Sequence, residues 1–304
     1  MTALAAVTAG QWVRRAAAVL KEAGVEAAGL EARVLAGHVL GLSAADVVLE
    51  ADRPLEPGQR AAADRLLRRR VAGEPLQYLI GRAEFWSLTL EVSPAVLIPR
   101  PETEHLVESV LEHVRGTAVS RPLLADLGTG SGAVAAALAH ELPLARVYAV
   151  DIDPRALATA RRNVTRLGLA GRVTLLQGSW CRPLLAAGLR GRLDAVAANP
   201  PYVALEEAAG LAAQVRCFEP PVALFTGADP LSAYRAIVAG APALLKPGGL
   251  LALEVAPHRA GQVAELLERC PRLEAVRIDS DYAGRPRVVS ALRGPAVPPR
   301  GERR

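Results

Sequence analysis

The sequence predicts an α/β fold in which a small helical bundle precedes a parallel sheet with helices on both faces. Two observations support this prediction. Leu, Val and Ala recur at helical spacing through residues 10–80, and from residue 122 onward short apolar runs alternate with helical segments. With 304 residues, the chain is long enough for two domains.

The first 80 residues contain three predicted helices, near 10–23, 28–40 and 57–72, which glycine and proline residues separate. Residues 84–92 alternate between apolar and polar side chains and predict a β-hairpin. We therefore place a helical domain at residues 1–81 and a hairpin linker at 82–96.

The second predicted domain spans residues 97–294 and begins with a helix at Pro101. Its last two strands have no helix between them, so we expect them to pair antiparallel. Residues 295–304 are predicted to form a disordered tail. Strands are predicted near 122–126, 146–150, 172–177, 193–198, 249–254, 273–279 and 286–292, and helices near 131–142, 154–167, 229–245 and 258–269.

Composition and charge favour a cytoplasmic enzyme. The net charge of +5 comes almost wholly from dispersed arginines, and the one tight run, Arg68 to Arg70, is interpreted as a solvated helix face. Three widely spaced cysteines suit a reducing compartment, and the histidines show no metal-ligand spacing. No apolar run approaches the roughly 20 residues of a transmembrane helix, and no export signal precedes the first domain. We expect a monomer with no bound metal and no membrane partner.

A glycine-rich turn lies between the first predicted strand of the second domain and the helix that follows. Glycines allow positive φ and close approach of the backbone to a ligand. Nineteen residues after this turn, a second apolar strand ends in Asp151, whose carboxylate can accept both hydroxyls of a ribose. This arrangement is typical of a nucleoside-cofactor site on a doubly wound sheet. The turn consists of Gly128, Thr129, Gly130, Ser131 and Gly132.

The glycine pattern alone does not choose between a dinucleotide and S-adenosyl-L-methionine, because it also fits the looser dinucleotide fingerprint. Asp126 favours S-adenosyl-L-methionine. A carboxylate immediately before the turn can bind the ammonium group of that cofactor, whereas it would repel the pyrophosphate of a dinucleotide.

A second motif, Asn199-Pro200-Pro201-Tyr202, follows the apolar run 193–198. The two prolines stiffen the backbone and lack N–H donors, so the turn offers carbonyl acceptors. The Asn199 side chain adds another acceptor, and Tyr202 adds a flat ring. Such a turn suits a planar primary amide or an aromatic amine, and a methyl acceptor would bind there.

These residues together resemble one family, the HemK/PrmC protein-glutamine N5-methyltransferases. The Arg-Pro-Glu-Thr-Glu segment after a helical domain is the most specific match, whereas the glycine turn and Asn-Pro-Pro-Tyr are shared with other methyltransferases. The matching segments are Pro75-x-x-Tyr78-x-x-Gly81, Pro99 to Glu104, Asp126 to Gly132, Asp151 to Asp153, Asn199 to Tyr202, Phe218 to Pro220 and Asp281 to Arg287.

The resemblance implies a class I (Rossmann-like) S-adenosyl-L-methionine-dependent methyltransferase with a seven-stranded sheet. It implies that the acceptor is the glutamine of the Gly-Gly-Gln loop in class 1 peptide-chain release factors, whose methylation tunes translation termination. It places the cofactor at Gly128 to Gly132, Asp151, Trp180 and Asn199, and the glutamine side chain at Asn199 to Tyr202. Many relatives carry an acidic residue, which would contact adenine, where this chain has Ser179.

The expected chemistry is direct transfer to the amide nitrogen, with no general base. Asn199 and the Pro200 carbonyl accept the amide hydrogens and stabilise the positive charge that grows on nitrogen, while Tyr202 packs on the amide plane. The alternative is an adenine-N6 methyltransferase acting on DNA or RNA, since the same turn suits that amine. We favour the protein substrate because the chain has no basic, aromatic-rich segment for a flipped base. A non-catalytic cofactor-binding protein would leave the Asn-Pro-Pro-Tyr turn unexplained.

Overall fold

The computed structural model describes residues 7–117 and 119–295, so residues 296–304 of the predicted tail lie outside the described part. The chain forms two compact units. The first contains residues up to Arg82 together with Ala212–Phe218, and the second contains Ala83–Leu211 and the chain from Glu219 onward. The predicted boundaries place Ala212–Phe218 in the second domain, whereas this segment groups with the first unit. The functional domain boundaries stay a prediction.

The elements are numbered along the chain. The helices are α1 (Ala9–Glu22), α2 (Ala28–Leu40), α3 (Asp46–Leu49), α4 (Pro57–Val71), α5 (Leu76–Ile80), α6 (Glu104–Gly116), α7 (Ala133–Glu141), α8 (Pro154–Arg166), α9 (Arg182–Ala186), α10 (Ala213–Phe218), α11 (Pro221–Leu224), α12 (Ser232–Leu244) and α13 (Ala260–Glu268). The strands are β1 (Arg82–Phe85), β2 (Leu88–Glu91), β3 (Leu123–Leu127), β4 (Arg146–Asp151), β5 (Val173–Gln177), β6 (Leu193–Ala198), β7 (Leu245–Glu254), β8 (Leu273–Ser280) and β9 (Pro286–Arg293).

The part of the first unit before Arg82 confirms the three predicted helices and adds the short helices α3 and α5. Helix α1 begins at a capping box in which Thr8 and Gln11 each satisfy the backbone N–H of the other. Its fully buried Trp12 donates a 2.8 Å hydrogen bond to Asp64 on α4. The indole nitrogen is therefore paired inside the bundle rather than left without an acceptor.

The arginine run on α4 is only partly a solvated face. Arg68 is exposed, as predicted. Arg70 instead turns inward and forms a bidentate ion pair with Glu31 on α2, in which both side chains are mostly buried. The prediction was wrong for Arg70, because a helix rotates about 100° per residue and consecutive positions face different neighbours.

The second unit is a seven-stranded sheet in the order β5-β4-β3-β6-β7-β9-β8. Strands β3 to β7 are parallel, and β9 pairs antiparallel with both β7 and β8, which confirms the predicted antiparallel pair. Strand β3 has β4 on one side and β6 on the other, where Leu127 is in register with Val150 and Ala198. The carboxyl ends of these three strands therefore meet at one edge, where doubly wound sheets bind their ligands.

Apolar side chains cover both faces of the sheet. Successive residues of β3 point to opposite faces, so Leu124 packs with α6 and α7 while Ala125 packs with α9, α12 and α13. Helix α7 is buried along almost its whole length, from Ala133 to Ala139. Its small side chains allow the helix to lie close against the strands that position the glycine turn.

The β1–β2 hairpin contributes Phe85 and Leu90 to one of these core clusters. Its two turn residues, Trp86 and Ser87, have φ of 53° and 56°, the left-handed pair that a two-residue type I′ turn requires.

Over the part of the chain with described structure, none of the helices combines the length and the apolar character needed to cross a bilayer.

Candidate active site

A cavity of ≈ 420 Å³ lies at the carboxyl ends of β3, β4 and β6, within the range of about 300–1,000 Å³ for small-molecule sites. Most of the predicted site residues line it, although they come from separate parts of the chain. Those that line the cavity are Asp126, Gly128, Thr129, Gly130, Ser131, Asp151, Trp180, Asn199 and Pro201.

The glycine turn has the backbone conformation that its sequence predicts. Gly128, Gly130 and Gly132 have φ of 76°, 56° and 81°, a region that residues with a Cβ rarely adopt. The turn is fixed to the next strand because the N–H groups of Gly128 and Thr129 both donate to the carbonyl of Val150. These two hydrogen bonds hold the turn beside the carboxyl end of β4, at the wall of the cavity.

Gly132 is placed for helix packing rather than for the cavity. It precedes α7, and a Cβ at this position would lie 3.2 Å from the Cβ of Ala160 on α8. Gly132 is not among the described residues that line the cavity, and its predicted contact with the cofactor stays a prediction. The glycine instead allows α7 and α8 to approach each other, which is a known role of the third glycine in such turns.

Asp126 is a buried carboxyl group at the end of β3, with 2% of its surface exposed. Its Oδ2 atom accepts hydrogen bonds from Thr129 Oγ1 at 2.6 Å and from the backbone N–H of Ala135 in the first turn of α7 at 3.2 Å. Burial raises the pKa of Asp126 to about 6, although both hydrogen bonds oppose the increase. A cationic group in the cavity would stabilise the carboxylate form and lower this pKa.

Asp151 ends β4 and holds two backbone N–H groups. Its Oδ2 accepts from Gly130 at 2.8 Å, and its Oδ1 accepts from Asp153 at 2.9 Å. Burial raises the pKa of Asp151, and these two hydrogen bonds oppose the increase. The carboxylate thus has a fixed orientation at the wall of the cavity, as the binding of two neighbouring hydroxyls requires.

Trp180 follows β5 and has a φ of 48°, which is unusual for a bulky residue and signals a conformation that the surroundings impose. Its Cζ3 atom would lie 3.4 Å from a Cβ at Gly128. The ring therefore lies directly over this glycine. Ser179 also lines the cavity beside Trp180.

The Asn-Pro-Pro-Tyr turn follows β6, as predicted. The Nδ2 atom of Asn199 donates a 3.1 Å hydrogen bond to Thr103 Oγ1. With its nitrogen engaged in this way, the amide has its Oδ1 atom available as an acceptor. Asn199 and Pro201 line the cavity.

Pro200 and Tyr202 are not among the described residues that line the cavity. Tyr202 packs against the core cluster formed with α12 and α13. Burial raises the pKa of its hydroxyl, and the nearby carboxyl group of Glu254 raises it further. The roles assigned to Pro200 and Tyr202 stay predictions.

Sequence reasoning missed several residues around this site. Thr103 lines the cavity and holds Asn199. Glu219 is almost fully buried, where it pairs with Arg100 and accepts from the backbone N–H of Ile98. The Arg-Pro-Glu-Thr-Glu and Phe-Glu-Pro motifs were visible in the sequence, but only the fold shows that Glu219 fixes the segment that carries Thr103.

The residues of the cavity fit S-adenosyl-L-methionine. Asp126 is a buried acceptor that lacks a cationic partner among the described side chains that bond to it, and Asp151 is a second oriented carboxylate. A pyrophosphate would meet both negative charges, whereas an ammonium group and a ribose would be bound by them. Within residues 7–117 and 119–295, no three His, Cys, Asp or Glu side chains are grouped to hold a metal ion.

Comparison with known proteins identifies the family. The sequence model of the PrmC N-terminal domain matches residues 11–81, and that of the methyltransferase small domain matches residues 103–219. The release factor glutamine methyltransferase of Moorella thermoacetica is 47% identical over 284 residues, which are 93% of this chain and 96% of that protein. The chain belongs to the release factor glutamine methyltransferase family.

The family member from Gloeobacter violaceus is 42% identical, and the match covers 91% of this chain and 94% of that protein. The member from Bradyrhizobium diazoefficiens is 39% identical, and the match covers 93% of this chain and 94% of that protein. Among solved structures, the hMettl16 catalytic domain has a TM-score of 0.54 and 18% identity over 74% of this chain and 81% of that chain, which shows the fold alone. These matches confirm the predicted family, the class I methyltransferase fold and the cofactor, S-adenosyl-L-methionine.

Proposed function

We propose that this enzyme transfers a methyl group from S-adenosyl-L-methionine to the side-chain nitrogen of the glutamine in the Gly-Gly-Gln loop of class 1 peptide-chain release factors. The observation that supports it most directly is Asn199 at the cavity wall, with its amide nitrogen held by Thr103 and its oxygen available to an incoming N–H. The relatives that match nearly the whole chain carry the release factor glutamine methyltransferase name.

On the cofactor side, we assign each group by its chemistry. The Asp126 carboxylate binds the ammonium group, Asp151 accepts the ribose hydroxyls and the Trp180 ring covers the adenine. The bound cofactor supplies an electrophilic methyl group on a sulfonium ion. The glycine turn at Gly128 and Gly130 allows the cofactor to approach the backbone without a side chain in the way.

On the acceptor side, Asn199 Oδ1 and the Pro200 carbonyl accept the two hydrogens of the glutamine amide, and Tyr202 packs against its plane. An amide nitrogen is a weak nucleophile because its lone pair is delocalised into the carbonyl. Two fixed acceptors stabilise the positive charge that develops on this nitrogen during transfer. Holding both reactants in a near-attack arrangement contributes up to roughly 7–11 kcal/mol. We assign no general base, and the proton leaves to water.

The primary amide is the proposed acceptor, and we place the enzyme in the cytoplasm, where release factors act. The test is mass spectrometry of a purified release factor after incubation with isotope-labelled cofactor. We expect one labelled methyl group on the glutamine of the Gly-Gly-Gln loop and none in a release factor whose loop glutamine is replaced. Asn199→Ala enzyme serves as the inactive control.

A second experiment distinguishes the glutamine amide from the alternative acceptor, the N6 amine of adenine. Adenine-containing DNA and RNA oligonucleotides are incubated with the same enzyme and labelled cofactor. Label on adenine, with none on the release factor, would replace the proposal by the adenine-N6 activity. Label on a different residue of the release factor would keep the enzyme class but reject the glutamine assignment.

A further inference from the structure

Asn163 on α8 is a buried polar residue that holds backbone groups from two other segments of the second unit. Its Oδ1 atom accepts the N–H of Glu91 on β2 at 2.6 Å. Its Nδ2 atom donates to the carbonyl oxygens of Glu91 and Ser131, at 2.9 Å each. Asn163 is 0% exposed. Its side-chain amide therefore connects the β1–β2 hairpin to the glycine turn at the cavity.

The backbone partners of Asn163 fix the orientation of its amide. A backbone N–H only donates and a carbonyl only accepts, so Oδ1 faces the N–H of Glu91 and the NH₂ group faces the two carbonyls. The opposite orientation would place donor against donor and acceptor against acceptor. Arg166 also donates to Oδ1, at 3.4 Å. An ionised aspartate would lack both donors, and an alanine would leave all of these backbone groups without their partner.

In the glycine turn, the bond from Asn163 fixes the peptide group between Ser131 and Gly132. The Ser131 carbonyl at one side of this peptide accepts from Asn163. The Gly132 N–H at the other side donates to the carbonyl of Thr129 at 2.8 Å. Ser131 is 3% exposed and lines the cavity. The peptide is thus held from both sides directly beside the predicted cofactor site.

A turn rich in glycine needs such support because its backbone is free to rotate. Glycine loses more conformational freedom on ordering than any other residue. If Gly130 and Gly132 became ordered only when a ligand bound, the cost of ordering them would be subtracted from the affinity. A turn that is already fixed in the free protein avoids this cost. Asn163 supplies the restraint from outside the turn, through a helix and a hairpin strand.

We propose that Asn163 is a positioning residue which, by bonding the Ser131 carbonyl and β2 together, keeps the glycine turn in its cofactor-binding conformation before S-adenosyl-L-methionine arrives. The β1–β2 hairpin thereby supports the cofactor site, although none of residues 82–91 lines the cavity. This inference concerns the cofactor alone, so it holds whichever nitrogen accepts the methyl group.

The first test replaces Asn163. Asn163→Ala removes all of its side-chain hydrogen bonds, whereas Asn163→Asp keeps an acceptor for the N–H of Glu91 and loses the donors to the carbonyls. Both variants free the Ser131 carbonyl, so we expect calorimetry to show S-adenosyl-L-methionine bound at least roughly fivefold more weakly. The KM for the cofactor should rise in parallel. At saturating cofactor, kcat should change much less, because the bound cofactor then orders the turn.

Two control variants separate this role from general stability. Arg162→Gln removes the 2.7 Å ion pair between α8 and the Glu91 carboxylate but leaves the bond to Ser131 intact. We expect its cofactor affinity to stay within about twofold of the wild type, since the pair is exposed. Val263→Ala shortens a fully buried side chain on α13 that does not line the cavity. It should lower the unfolding temperature and leave the cofactor affinity of the folded protein unchanged.

Hydrogen exchange followed by NMR tests the restraint directly. Without cofactor, the Gly132 N–H should exchange slowly in the wild type and faster in Asn163→Asp. In the wild type, cofactor binding should in turn slow exchange at Nδ2 of Asn163, because coupling between two equilibria is reciprocal. This last measurement needs no variant, and unchanged Nδ2 exchange would overturn the proposal. Wild-type cofactor affinity in a folded Asn163 variant, or an equal loss of affinity in Arg162→Gln or Val263→Ala, would overturn it as well.

Discussion

The hydroxyl of Thr129 donates a 2.6 Å hydrogen bond to Oδ2 of Asp126, a carboxyl group with 2% of its surface exposed. The same oxygen accepts the N–H of Ala135. Even with both donors, the pKa of Asp126 rises from its ordinary 3.8 to about 6, because burial outweighs the hydrogen bonds. The folded protein therefore holds a charge at neutral pH that only a cationic ligand would stabilise fully.

Asp126→Asn should stabilise the protein in the absence of cofactor. A pKa raised by about two units corresponds to about 3 kcal/mol at 1.36 kcal/mol per unit, so we expect a gain of roughly 1–3 kcal/mol at pH 8. An asparagine oxygen can still accept from Thr129 and Ala135. The gain should shrink as the pH falls through about 6, because folded wild-type protein then protonates Asp126 and loses the penalty. Denaturant unfolding at pH 8 and pH 5 measures this difference.

The same substitution should weaken cofactor binding, so the order of stability should reverse at saturating S-adenosyl-L-methionine. Thermal unfolding with and without cofactor checks the reversal. An Asp126→Asn protein that is destabilised without cofactor would contradict the stability cost of the buried carboxylate. One that binds the cofactor as tightly as the wild type would contradict the assignment of Asp126 to the ammonium group.

Asp151→Ala should weaken cofactor binding more than it slows the saturated reaction. Losing hydrogen bonds to a charged group costs about 1.5–3 kcal/mol, which corresponds to roughly 10- to 150-fold in affinity. Because Asp151 also holds the N–H groups of Gly130 and Asp153, Asp151→Asn is the milder companion variant. Calorimetry gives the affinity, and kcat at saturating cofactor gives the rate. Unchanged affinity in Asp151→Ala would assign the ribose to another residue, with Asp153 the first candidate.

Much of the fold was predictable because each element of the second unit follows a local rule. Strand β4 ends in Asp151, whereas Gly128 and Asn199 directly follow β3 and β6, and parallel pairing brings these three strand ends together. The positions of Asp126, Asp151 and Asn199 at one cavity follow from that alternation. The motifs and the strand order were sufficient to predict this part of the site, because all three side chains lie at the same edge of the sheet.

The supporting residues were not predictable from local pattern. Thr103 and Asn199 are 96 positions apart in the sequence, and their hydrogen bond depends on how the segment before α6 packs at the carboxyl end of β6. Burial of Arg70 against Glu31 likewise depends on the packing of two helices. Propensity and periodicity describe one segment at a time, whereas these contacts are tertiary.

Two helical glycines test the packing of the second unit. In α12, a Cβ at Gly240 would lie 2.7 Å from the Cβ of Cys181 and 2.9 Å from its sulfur, closer than packed atoms allow. In α13, a Cβ at Gly261 would meet nothing within 4 Å. We expect Gly240→Ala to cost roughly 1–3 kcal/mol and Gly261→Ala to be neutral or to gain up to about 1 kcal/mol. Thermal unfolding of both variants measures the contrast, and equal effects would contradict it.

Asn199→Ala should abolish methylation of the release factor and leave the protein folded. The variant removes the acceptor proposed to bind the amide hydrogens, and one lost transition-state hydrogen bond costs about 10²–10³ in kcat. Circular dichroism and thermal unfolding are the folding controls, because Asn199 is itself expected to contact the cofactor. Asn199→Asp is the matched variant, since it keeps an acceptor oxygen but cannot donate to Thr103. Near-normal turnover in a folded Asn199→Ala protein would remove Asn199 from the site.

The first unit should serve to dock the protein substrate. A glutamine side chain is small, so a turn of four residues cannot distinguish one protein glutamine from another, and selection requires a wider surface. The proposed cofactor groups Asp126, Asp151 and Trp180 all belong to the second unit. A fragment beginning near Gly81 should therefore still bind S-adenosyl-L-methionine. It should lose most methylation of the intact release factor through weaker docking.

The segment Ala212–Phe218 makes this experiment sharper, because it groups with the first unit although it lies shortly after the acceptor turn. Truncation removes its partners, and Glu219, the next residue, holds Arg100. A short Gly-Gly-Gln peptide is therefore the necessary second substrate. If the first unit acts by docking, truncation should reduce kcat/KM for the intact release factor far more than for the peptide. Equal losses for both substrates would show that truncation impairs the reaction itself rather than docking, and full activity on the intact factor would refute docking.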